Sequence, residues 1–165
     1  MKNQIEIERK FLIKFPDIDK LLSFEDTRCV KITQTYTTLG FRIRSWHENG
    51  KTTYIQTQKK TLTHLSRIEI EQEISKDEYD RLLYFADGNL SPITKTRYIL
   101  PYCGKNLEVD IFPFWKNQAF LEIELGSENE EFSVPDFLEI IREVTKEGEY
   151  KNYSLAKKIP EEENF

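Results

Sequence analysis

Charged residues alternate with apolar residues along many short segments of this sequence, and charges of the same sign often stand two positions apart. The acidic pairs are Glu6/Glu8, Glu69/Glu71, Glu108/Asp110 and Glu122/Glu124, and the basic pairs are Arg42/Arg44 and Lys95/Arg97. Residues two apart share one face of a β-strand, so each pair would present two like charges side by side. Adjacent carboxylates repel unless a cation lies between them, and hard divalent metals take carboxylate oxygens as ligands. Paired Arg and Lys suit the oxygens of a phosphate group.

Two interpretations of these charged faces are open from the residues alone. Half-buried strands often carry charge on a solvated outer face and bury the apolar face, which would make the pattern an ordinary surface. Such surfaces usually dilute their charges with Ser, Thr, Asn and Gln, whereas here like-charged pairs recur from strand to strand. The second interpretation is therefore an interior that binds ions, and periodicity alone does not say which face points inward.

The segments that carry these charges have the period-two alternation of β-strands. Strands are predicted at residues 4–14, 28–36, 41–46, 52–59, 67–74, 92–100, 107–112 and 120–125, with an Asn49-Gly50 turn before the fourth. Helices are predicted at residues 17–24, from a Ser75 capping box to about Gly88, at 135–144 and at 152–158. About eight strands, mostly joined by hairpins, and a few helices indicate an antiparallel α+β domain or a barrel.

Length and composition limit the classes of protein. The 165 residues fit one domain, and a content of 38% hydrophobic and 13% aromatic residues excludes a disordered chain. The net charge of −5 argues against a nucleic-acid binder, and no stretch is apolar enough for a membrane span or a signal sequence. Cys29 and Cys103 lack metal-ligand spacing and are interpreted as two buried thiols in a reducing compartment. These points predict a soluble cytoplasmic protein, monomer or homodimer, without a membrane or nucleic-acid partner.

The order of the motifs resembles one family closely. Glu6-Ile7-Glu8-Arg9-Lys10 is similar to the Glu-x-Glu-x-Lys signature of the CYTH, or triphosphate tunnel metalloenzyme, family. In the same order follow Gln34-Thr35-Tyr36, Arg42-Ile43-Arg44, Lys59, Arg67-Ile68-Glu69-Ile70-Glu71, Lys95-Thr96-Arg97-Tyr98, Glu108-Val109-Asp110, Glu122-Ile123-Glu124 and the C-terminal Tyr150-Lys151-Asn152. Each resembles a segment of that family, most of all of its short bacterial inorganic triphosphatases, and together they span essentially the whole chain.

This resemblance implies a single domain over residues 1–165, folded as a closed antiparallel eight-stranded β-barrel with a few flanking helices. In that family the charged strand faces line the inside of the barrel, which would then be a tunnel. Eight acidic and seven basic residues of this chain would line it. Such an interior must be wet and built for ligands, because burying bare charges is costly.

The resemblance also implies an activity, the metal-dependent hydrolysis of a triphosphate, most of all of inorganic tripolyphosphate to diphosphate and phosphate. The expected ligands of one or two Mg²⁺ or Mn²⁺ ions are Glu6, Glu8, Asp110, Glu122 and Glu124. The expected phosphate-binding residues are Lys10, Arg42, Arg44, Lys59 and Arg97. Lys95 and Tyr36 are expected to act as a pair in proton transfer or on the leaving group. In the alternative, Lys95 is one more phosphate clamp and Tyr36 is a packing ring.

Other readings of the resemblance stay open. Thiamine triphosphate or a nucleoside triphosphate could be the substrate, adenylyl cyclase activity occurs on the same scaffold, and a module that binds polyphosphate without turnover would need the same charges. An alternative of another class is a plain β-rich interaction domain, in which the charged strand faces would be solvated. The chain departs from its relatives at Thr35, where Gly is common, and at Glu149, where they carry Arg. The roles of Glu69 and Glu71 are open, and His47 and His64 are interpreted as surface residues.

Overall fold

The computed structural model describes the backbone of residues 2–165 and the side chains from Ile5 onward. The strands are β1 (Lys2–Lys14), β2 (Arg28–Tyr36), β3 (Arg42–Glu48), β4 (Lys51–Thr61), β5 (Ser66–Ile74), β6 (Ile93–Tyr102), β7 (Lys105–Ile111), β8 (Gln118–Glu124) and β9 (Ile140–Glu143). The helices are α1 (Ile18–Ser23), α2 (Lys76–Leu82) and α3 (Asn152–Lys157). Short 3₁₀ turns cover Leu83–Phe85 and Gly148–Tyr150.

Strands β1 to β8 form a closed antiparallel barrel. Hydrogen bonding runs in the order β5-β4-β3-β2-β6-β7-β8-β1, and β1 returns to β5. The long β1 makes this closure because its residues 2–7 pair with β5 and its residues 8–14 pair with β8. β9 adds a ninth strand beside residues 11–13 of β1, beyond the end of β5. The predicted eight-stranded barrel with a few flanking helices is confirmed.

Local sequence explains several of the connections. Asn49 and Gly50 have φ angles of 49° and 76°, and a tight two-residue hairpin, here between β3 and β4, requires such positive values. The side chains of Asp17 and Ser75 each accept a hydrogen bond from the backbone N–H three residues later, at 3.2 and 3.1 Å. These bonds cap the first turns of α1 and α2. Both predicted helix starts are confirmed, although α2 ends at Leu82 and continues only as a 3₁₀ turn.

The barrel buries its main apolar core on the outside of its wall. Leu121 and Ile123 of β8 belong to an apolar cluster with Leu21 of α1 and Leu138, whereas Glu122 between them lines the inside of the barrel. β1 and β7 alternate in the same way. The core therefore lies between the outer face of these strands and a cover made by α1 and residues 132–138. The charged faces point inward, as the family resemblance implied.

One end of the barrel interior is filled by aromatic and aliphatic side chains. Phe112 and Phe120 occupy inward-facing positions next to the charged residues of β7 and β8, and they pack with Trp115 and with Leu155 of α3. The rings of Phe112, Trp115 and Phe120 contact one another edge to face, with centroids 5.0 to 5.6 Å apart. This cluster anchors the C-terminal segment against that end of the barrel.

The helix predicted at residues 135–144 is wrong. The apolar spacing is real, since Leu138 is buried and Val134 and Phe137 pack on the core, but residues 136–138 form a turn and β9 follows. β5 stops pairing with β1 at residue 7, so the same edge of β1 has unpaired backbone groups farther along, and β9 satisfies them. A turn and an edge strand thus bury the residues whose spacing indicated a helix.

The two thiols lie on the surface. Cys29 and Cys103 are exposed, so their interpretation as buried residues is wrong. Cys29 lies on the outward face of β2, which no helix covers there, and Cys103 lies in the turn between β6 and β7. His47 and His64 are exposed, as predicted. None of the helices found within residues 2–165 has the length and apolarity needed to cross a membrane.

Candidate active site

The inside of the barrel holds two adjoining cavities. The inner cavity has a volume of about 540 Å³ and the outer cavity one of about 500 Å³. Both are lined by Glu8, Arg42, Lys59 and Asn152, which together we call the waist. The interior is therefore a tunnel of two chambers that meet at four residues.

The inner cavity has an acidic half and a basic half. Its acidic residues are Glu6, Glu8, Glu69, Glu71, Glu108, Glu122 and Glu124, and its basic residues are Arg28, Arg42, Arg44, Lys59, Lys95 and Arg97. The acids come from β7, β8, β1 and β5, which are neighbours in the barrel, and the bases come from β4, β3, β2 and β6, which are neighbours on the other side. Away from the waist, the same cavity is lined by the apolar residues Trp46, Ile55 and Ile99 together with the polar residues Arg28, Thr53 and Asn106.

The outer cavity has a more aromatic lining. Tyr36, Phe41 and Tyr153 line it together with the basic residues Lys10 and Arg67. Tyr36 contacts Tyr153 edge to face, with ring centroids 5.1 Å apart. Residues 144–153 supply part of this wall, so the outer cavity depends on the C-terminal segment as well as on the barrel strands.

Asp110 is fully buried behind the inner cavity, at the centre of an ion-pair network. Its carboxylate accepts hydrogen bonds from Lys95 Nζ at 2.6 Å and from Arg97 Nε and Nη2 at 2.7 and 2.8 Å. Burial alone would raise the pKa of Asp110, but the charges of Arg97 and Lys95 hold it below its ordinary value. Both of its oxygens accept hydrogen bonds from these cations, and Asp110 is not among the residues that line either cavity.

Lys95 reaches the inner cavity and is 2% exposed. Burial, and then the charge of Arg97, lower the pKa of Lys95 to about 8, although Asp110 acts in the opposite direction. A lysine with this pKa can exchange a proton close to neutral pH. Its expected partner Tyr36 is not beside it, because Lys95 lies opposite Ile32, four residues along β2 from Tyr36. Tyr36 lines the outer cavity instead, so the structure does not bring these two residues together.

Glu108 and Glu122 share the guanidinium of Arg97. One Nη atom of Arg97 forms an ion pair with Glu108, and the other is 3.5 Å from Glu122 Oε2. Burial raises the pKa of Glu108 to about 7; the charge of Arg97 opposes this shift, and the charges of Glu122 and Asp110 add to it. Glu108 was not among the expected metal ligands, although it stands in one of the acidic pairs of the sequence. The structure places it in the cavity and Asp110 behind it.

Glu6 and Glu8 of β1 face bases from β4 and β5. Glu6 Oε2 is 2.9 Å from Lys59 Nζ and 3.4 Å from Arg67 Nε, and Glu8 Oε1 is 2.9 Å from Arg67 Nη2. Burial raises the pKa of Glu8, and the nearby charge of Glu122 adds to the shift. The surroundings of Glu8 therefore favour its protonated form more than water does.

Carboxylates of β1, β7 and β8 are neighbours in the barrel register. Glu8 lies opposite Glu124, and Glu108 lies opposite Glu122. Within the part of the chain that the structure describes, no three Asp, Glu, His or Cys side chains converge on one point, because Glu8 and Glu108 turn toward arginines. The donor set still suits a divalent cation, since such an ion takes carboxylate oxygens and stabilises the ionised form of crowded acids.

Arg42 and Arg44 have hydrogen-bond donors to spare. Arg44 Nη2 donates to Glu71 Oε2 at 2.9 Å and reaches Thr57 Oγ1 at 3.4 Å. The Nε atoms of both arginines are buried without a hydrogen-bond partner among the described residues. Burial, and then the charge of Arg42, lower the pKa of Arg44 to about 10. Two neighbouring guanidinium groups with unpaired donors can bind the oxygens of an anion.

Lys10 is held more firmly than the arginines. Its Nζ donates to the carbonyl oxygen of Tyr150 at 2.9 Å, lies 3.1 Å from Glu122 Oε1 and lies 4.3 Å from the ring centroid of Phe120. Lys10 lines the outer cavity. Of the expected phosphate-binding residues, the structure gathers Arg42, Arg44, Lys59 and Arg97 around the inner cavity and places Lys10 beyond the waist.

Glu69 and Glu71, whose roles the sequence left open, each face a base. Glu69 is 3.5 Å from Lys59 Nζ, and Glu71 is 2.9 Å from Arg44 Nη2. They lie on β5, opposite the strand that carries Lys59. Their positions suit residues that orient the bases of the cavity.

Sequence reasoning gave no role to Asn152. This residue begins α3, lines both cavities, and has a buried Oδ1 atom with no hydrogen-bond partner in residues 5–165. It belongs to no charged strand face, so the alternation that identified the other lining residues could not identify it. Its place in the Tyr150-Lys151-Asn152 segment of the family resemblance was the one available signal.

Comparison with known proteins agrees with this arrangement. A family model of the CYTH domain matches residues 4–158. The chain is 30% identical to NE1496 in a crystal structure of that hypothetical protein, with a TM-score of 0.57 and coverage of 94% of this chain and 99% of that chain. It is 28% identical to a structure of NE1496 described as an inorganic triphosphatase, with a TM-score of 0.57 and coverage of 94% and 97%.

More distant structures share the fold. The PH1819 protein from Pyrococcus horikoshii OT3 is 24% identical, with a TM-score of 0.53 and coverage of 75% of this chain and 80% of that one. No curated protein matches the chain. Because the family model covers nearly the whole of a barrel whose charged faces point inward, this chain belongs to the CYTH family.

Proposed function

We propose that this protein hydrolyses the terminal phosphoryl group of a triphosphate inside its barrel, with inorganic tripolyphosphate as the main substrate and Mg²⁺ or Mn²⁺ as cofactor. The observation that carries the proposal is the division of the inner cavity into an acidic half and a basic half. A triphosphate needs cations around its oxygens, a divalent metal needs carboxylates, and one cavity offers both. The activity described for NE1496 supports this choice of substrate.

The basic half binds the phosphate chain. Arg42 and Arg44 offer unpaired donors, and Lys59, Arg97 and, beyond the waist, Lys10 add positive charge. Hydrolysis moves negative charge toward the oxygen of the leaving diphosphate. Guanidinium groups that are already oriented stabilise this charge without having to reorganise during the reaction.

The acidic half holds the metal. Glu6, Glu8, Glu108, Glu122 and Glu124 line it, and Asp110 acts from behind by fixing Lys95 and Arg97. When bound there, a divalent ion supplies positive charge to the phosphate oxygens and polarises the bond to be broken. Glu8 and Glu108, whose pKa values are raised in the metal-free protein, would then be held in their ionised forms.

Lys95 is the residue that we assign to proton transfer. Its Nζ is fixed by Asp110 at 2.6 Å, and its pKa of about 8 allows both protonation states near neutral pH. In the protonated form it can donate to the oxygen of the leaving group, and it can regain the proton from water between turnovers. Tyr36 faces the outer cavity and is assigned a packing role against Tyr153.

An organic triphosphate is the second candidate substrate. Trp46, Ile55 and Ile99 line the end of the inner cavity away from the waist, where the group attached to a thiamine or nucleoside triphosphate could lie. The indole of Trp46 is fixed because its Nε1 donates to Glu48 Oε2 at 3.0 Å. These apolar side chains are the observation that favours the organic substrates over the inorganic one.

The first experiment measures phosphate release with Mg²⁺ or Mn²⁺ from tripolyphosphate, thiamine triphosphate and ATP in parallel. The variants Glu6→Ala and Lys95→Ala change the two halves of the inner cavity, and Lys60→Ala on the exposed outer side of β4 is the matched control. We expect metal-dependent release, fastest from tripolyphosphate, that is lost in both cavity variants and kept in the control.

The other outcomes separate the rival functions. Faster release from ATP or thiamine triphosphate would replace the inorganic substrate with an organic one. Binding of tripolyphosphate without release from any substrate would mean that the barrel is a polyphosphate-binding module. Absence of both binding and release would reject the proposal, and circular dichroism shows whether each variant is folded when it is measured.

A further inference from the structure

Gln34 is a fully buried residue of β2 to which the proposed reaction gives no role. It shares one strand face with Arg28 and Tyr36, which line the inner and the outer cavity, so its side chain points into the barrel. Neither Oε1 nor Nε2 of its carboxamide has a hydrogen-bond partner among the described residues. Burying both polar atoms of an amide without partners is costly, so the position has a reason other than the stability of the empty barrel.

The neighbours of Gln34 across the strands include three cations. Gln34 lies directly opposite Arg44 of β3, and Arg42 is one position farther along the inward face of that strand. Lys95 lies diagonally across on β6. Side chains at directly opposite and diagonal positions of paired strands are close enough to interact. The carboxamide of Gln34 is therefore a neutral group set among positive charges.

The corresponding position on the other side of the barrel holds an acid. Arg97 of β6 lies directly opposite Asp110 of β7, which accepts hydrogen bonds from Nε and Nη2 of that arginine at 2.7 and 2.8 Å. Arg44 is related to Gln34 by the same register, but the Nε of Arg44 is unpaired among the described residues, and its ion pair is with Glu71, two strands away. A carboxylate neutralises the cation that it faces, whereas an amide leaves the charge in place.

All of the residues that pair in register with Arg42 and Arg44 are neutral. They are Gln34 and Tyr36 on β2 and Ile55 and Thr57 on β4. Gln34 is the one of these four whose side chain has the shape of an acidic residue, because glutamine and glutamate have nearly the same size. Replacement of one amide nitrogen by oxygen at this position would place a counter-ion opposite Arg44, inside the barrel.

We propose that Gln34 preserves the ability of Arg42 and Arg44 to bind phosphate by facing them with a neutral group. The carboxamide oxygen can accept a hydrogen bond from an arginine when the side chains adjust to a ligand, and the guanidinium charge is left for the phosphate oxygens. A glutamate at this position would compete with the phosphate chain for the same guanidinium groups. Gln34 is thus a positioning residue that acts through the arginines. This inference rests on the proposed function, because it concerns phosphate binding at the same site.

The test replaces Gln34 by glutamate and measures tripolyphosphate binding by calorimetry with Mg²⁺, together with kcat and KM. Gln34→Glu adds one negative charge with almost no change of shape, and we expect the dissociation constant to rise about tenfold or more, because the new charge repels the ligand and pairs with its arginines. KM should rise by a larger factor than kcat falls. Gln58→Glu, the same substitution on the exposed outer face of β4, is the matched control and should change none of these values.

A second variant separates charge from hydrogen bonding. Gln34→Met keeps the bulk and the neutrality of the side chain and removes both polar atoms. It should retain most of the affinity for tripolyphosphate, and its melting temperature without ligand should not fall, because two unpaired polar atoms leave the interior. If Gln34→Met loses as much affinity as Gln34→Glu, the carboxamide itself binds the phosphate and the inference is overturned.

An unchanged dissociation constant in a folded Gln34→Glu protein would also overturn the inference, even if the wild type hydrolyses tripolyphosphate as proposed. If Gln34→Glu does not fold, Thr57→Asp places a carboxylate opposite Arg42, next to an Oγ1 position 3.4 Å from Arg44 Nη2, and the same loss of affinity is expected. A wild type that binds tripolyphosphate without cleaving it would reject the proposed function, and the dissociation constants of the variants would still decide the role of Gln34.

Discussion

Charged side chains are paired to different extents on two sides of the barrel. On the side of β6, β7 and β8, Lys95, Arg97, Asp110 and Glu122 are all less than 10% exposed and are paired mainly with one another. An apolar core covers the outer face of β7 and β8. On the side of β3 and β4, only a smaller apolar cluster covers the outer face, where Tyr79 of α2 packs with Ile43. Arg42 and Arg44 keep unpaired donors there.

The difference separates charges that the protein itself pairs from charges that it leaves partly without a partner. Ion pairs inside a covered wall satisfy one another, and removing one partner leaves a buried charge without compensation. On the other side, Arg42 and Arg44 have hydrogen-bond donors that no group in the described part of the chain uses, so these arginines are available to an anionic ligand. The same residue types, at the same strand spacing, are therefore paired mainly with one another on one side of the barrel and keep donors for a ligand on the other.

Asp110→Asn should have the largest effect on stability, because it disrupts the buried ion-pair network on the side of β6, β7 and β8. The substitution leaves Lys95 and Arg97 without their shared anion, and losing one partner of a buried ion pair costs about 3–5 kcal/mol of unfolding free energy. Urea denaturation at neutral pH measures this. Glu71→Gln removes the partner of Arg44, but the Glu71 side chain is 32% exposed, so this change should cost about 1 kcal/mol or less. Equal losses of unfolding free energy in the two variants would mean that the two ion pairs contribute equally to stability.

Arg42→Ala should lower activity and leave stability nearly unchanged. Its guanidinium has an unpaired Nε and no ion-pair partner among the described residues, so the folded protein loses little with it. Loss of one oriented donor to a developing charge reduces kcat by about 10²-fold. Steady-state kinetics with tripolyphosphate and the melting temperature give the two values. Arg81→Ala, exposed on α2, is the control, and a large drop in the melting temperature of Arg42→Ala would contradict the comparison.

The smallest expected effect is a pH dependence of the metal-free protein. The pKa of Glu108 is raised to about 7 by burial, so the folded state favours its protonated form more than the unfolded state does. The stability that this group contributes is complete below its unfolded pKa and is lost as the pH rises through about 7. The pKa of Lys95, lowered to about 8, alters stability mainly above that pH and leaves the interval from pH 6 to 8 mostly to the acids.

We therefore expect a lower melting temperature at pH 8 than at pH 6 in the presence of a chelator. Glu108→Gln should reduce this difference, while Glu71→Gln, which changes a more exposed carboxylate on β5, should keep it. Adding Mg²⁺ should raise the melting temperature more at pH 8, where the carboxylate is ionised. A wild-type protein that is equally stable at both pH values would reject the assignment.

Much of the fold could be predicted because the charged strand faces are local features of the sequence. The direction of those faces could not, since alternation is identical for a solvated sheet and for an ion-lined barrel, and only the family resemblance decided between them. The segment at residues 135–144 was misjudged because a turn followed by an edge strand buried the residues whose spacing is also helical.

Within the candidate site, how deeply each charged side chain is buried was harder to predict than whether it points into the barrel. Glu108 and Asp110 stand on the same face of β7, yet one lines the cavity and the other lies behind Lys95 and Arg97. The cause is tertiary, because Asp110 adjoins the aromatic cluster that fills the barrel end, whereas Glu108 is farther from it. Asn152 depends in the same way on how the C-terminal segment packs, which no local pattern records.

The closure of the barrel through β1 has a consequence for how the chain folds during synthesis. Phe11 pairs with Leu121 and with Glu143, so β1 leaves the ribosome long before the strands with which its residues 8–14 pair. Contacts over such long sequence separations form slowly, because a large loop must close before they become favourable. Until β8 emerges, residues 8–14 of β1 present an unpaired edge that other chains can contact, and the nascent protein is most prone to aggregation during this interval.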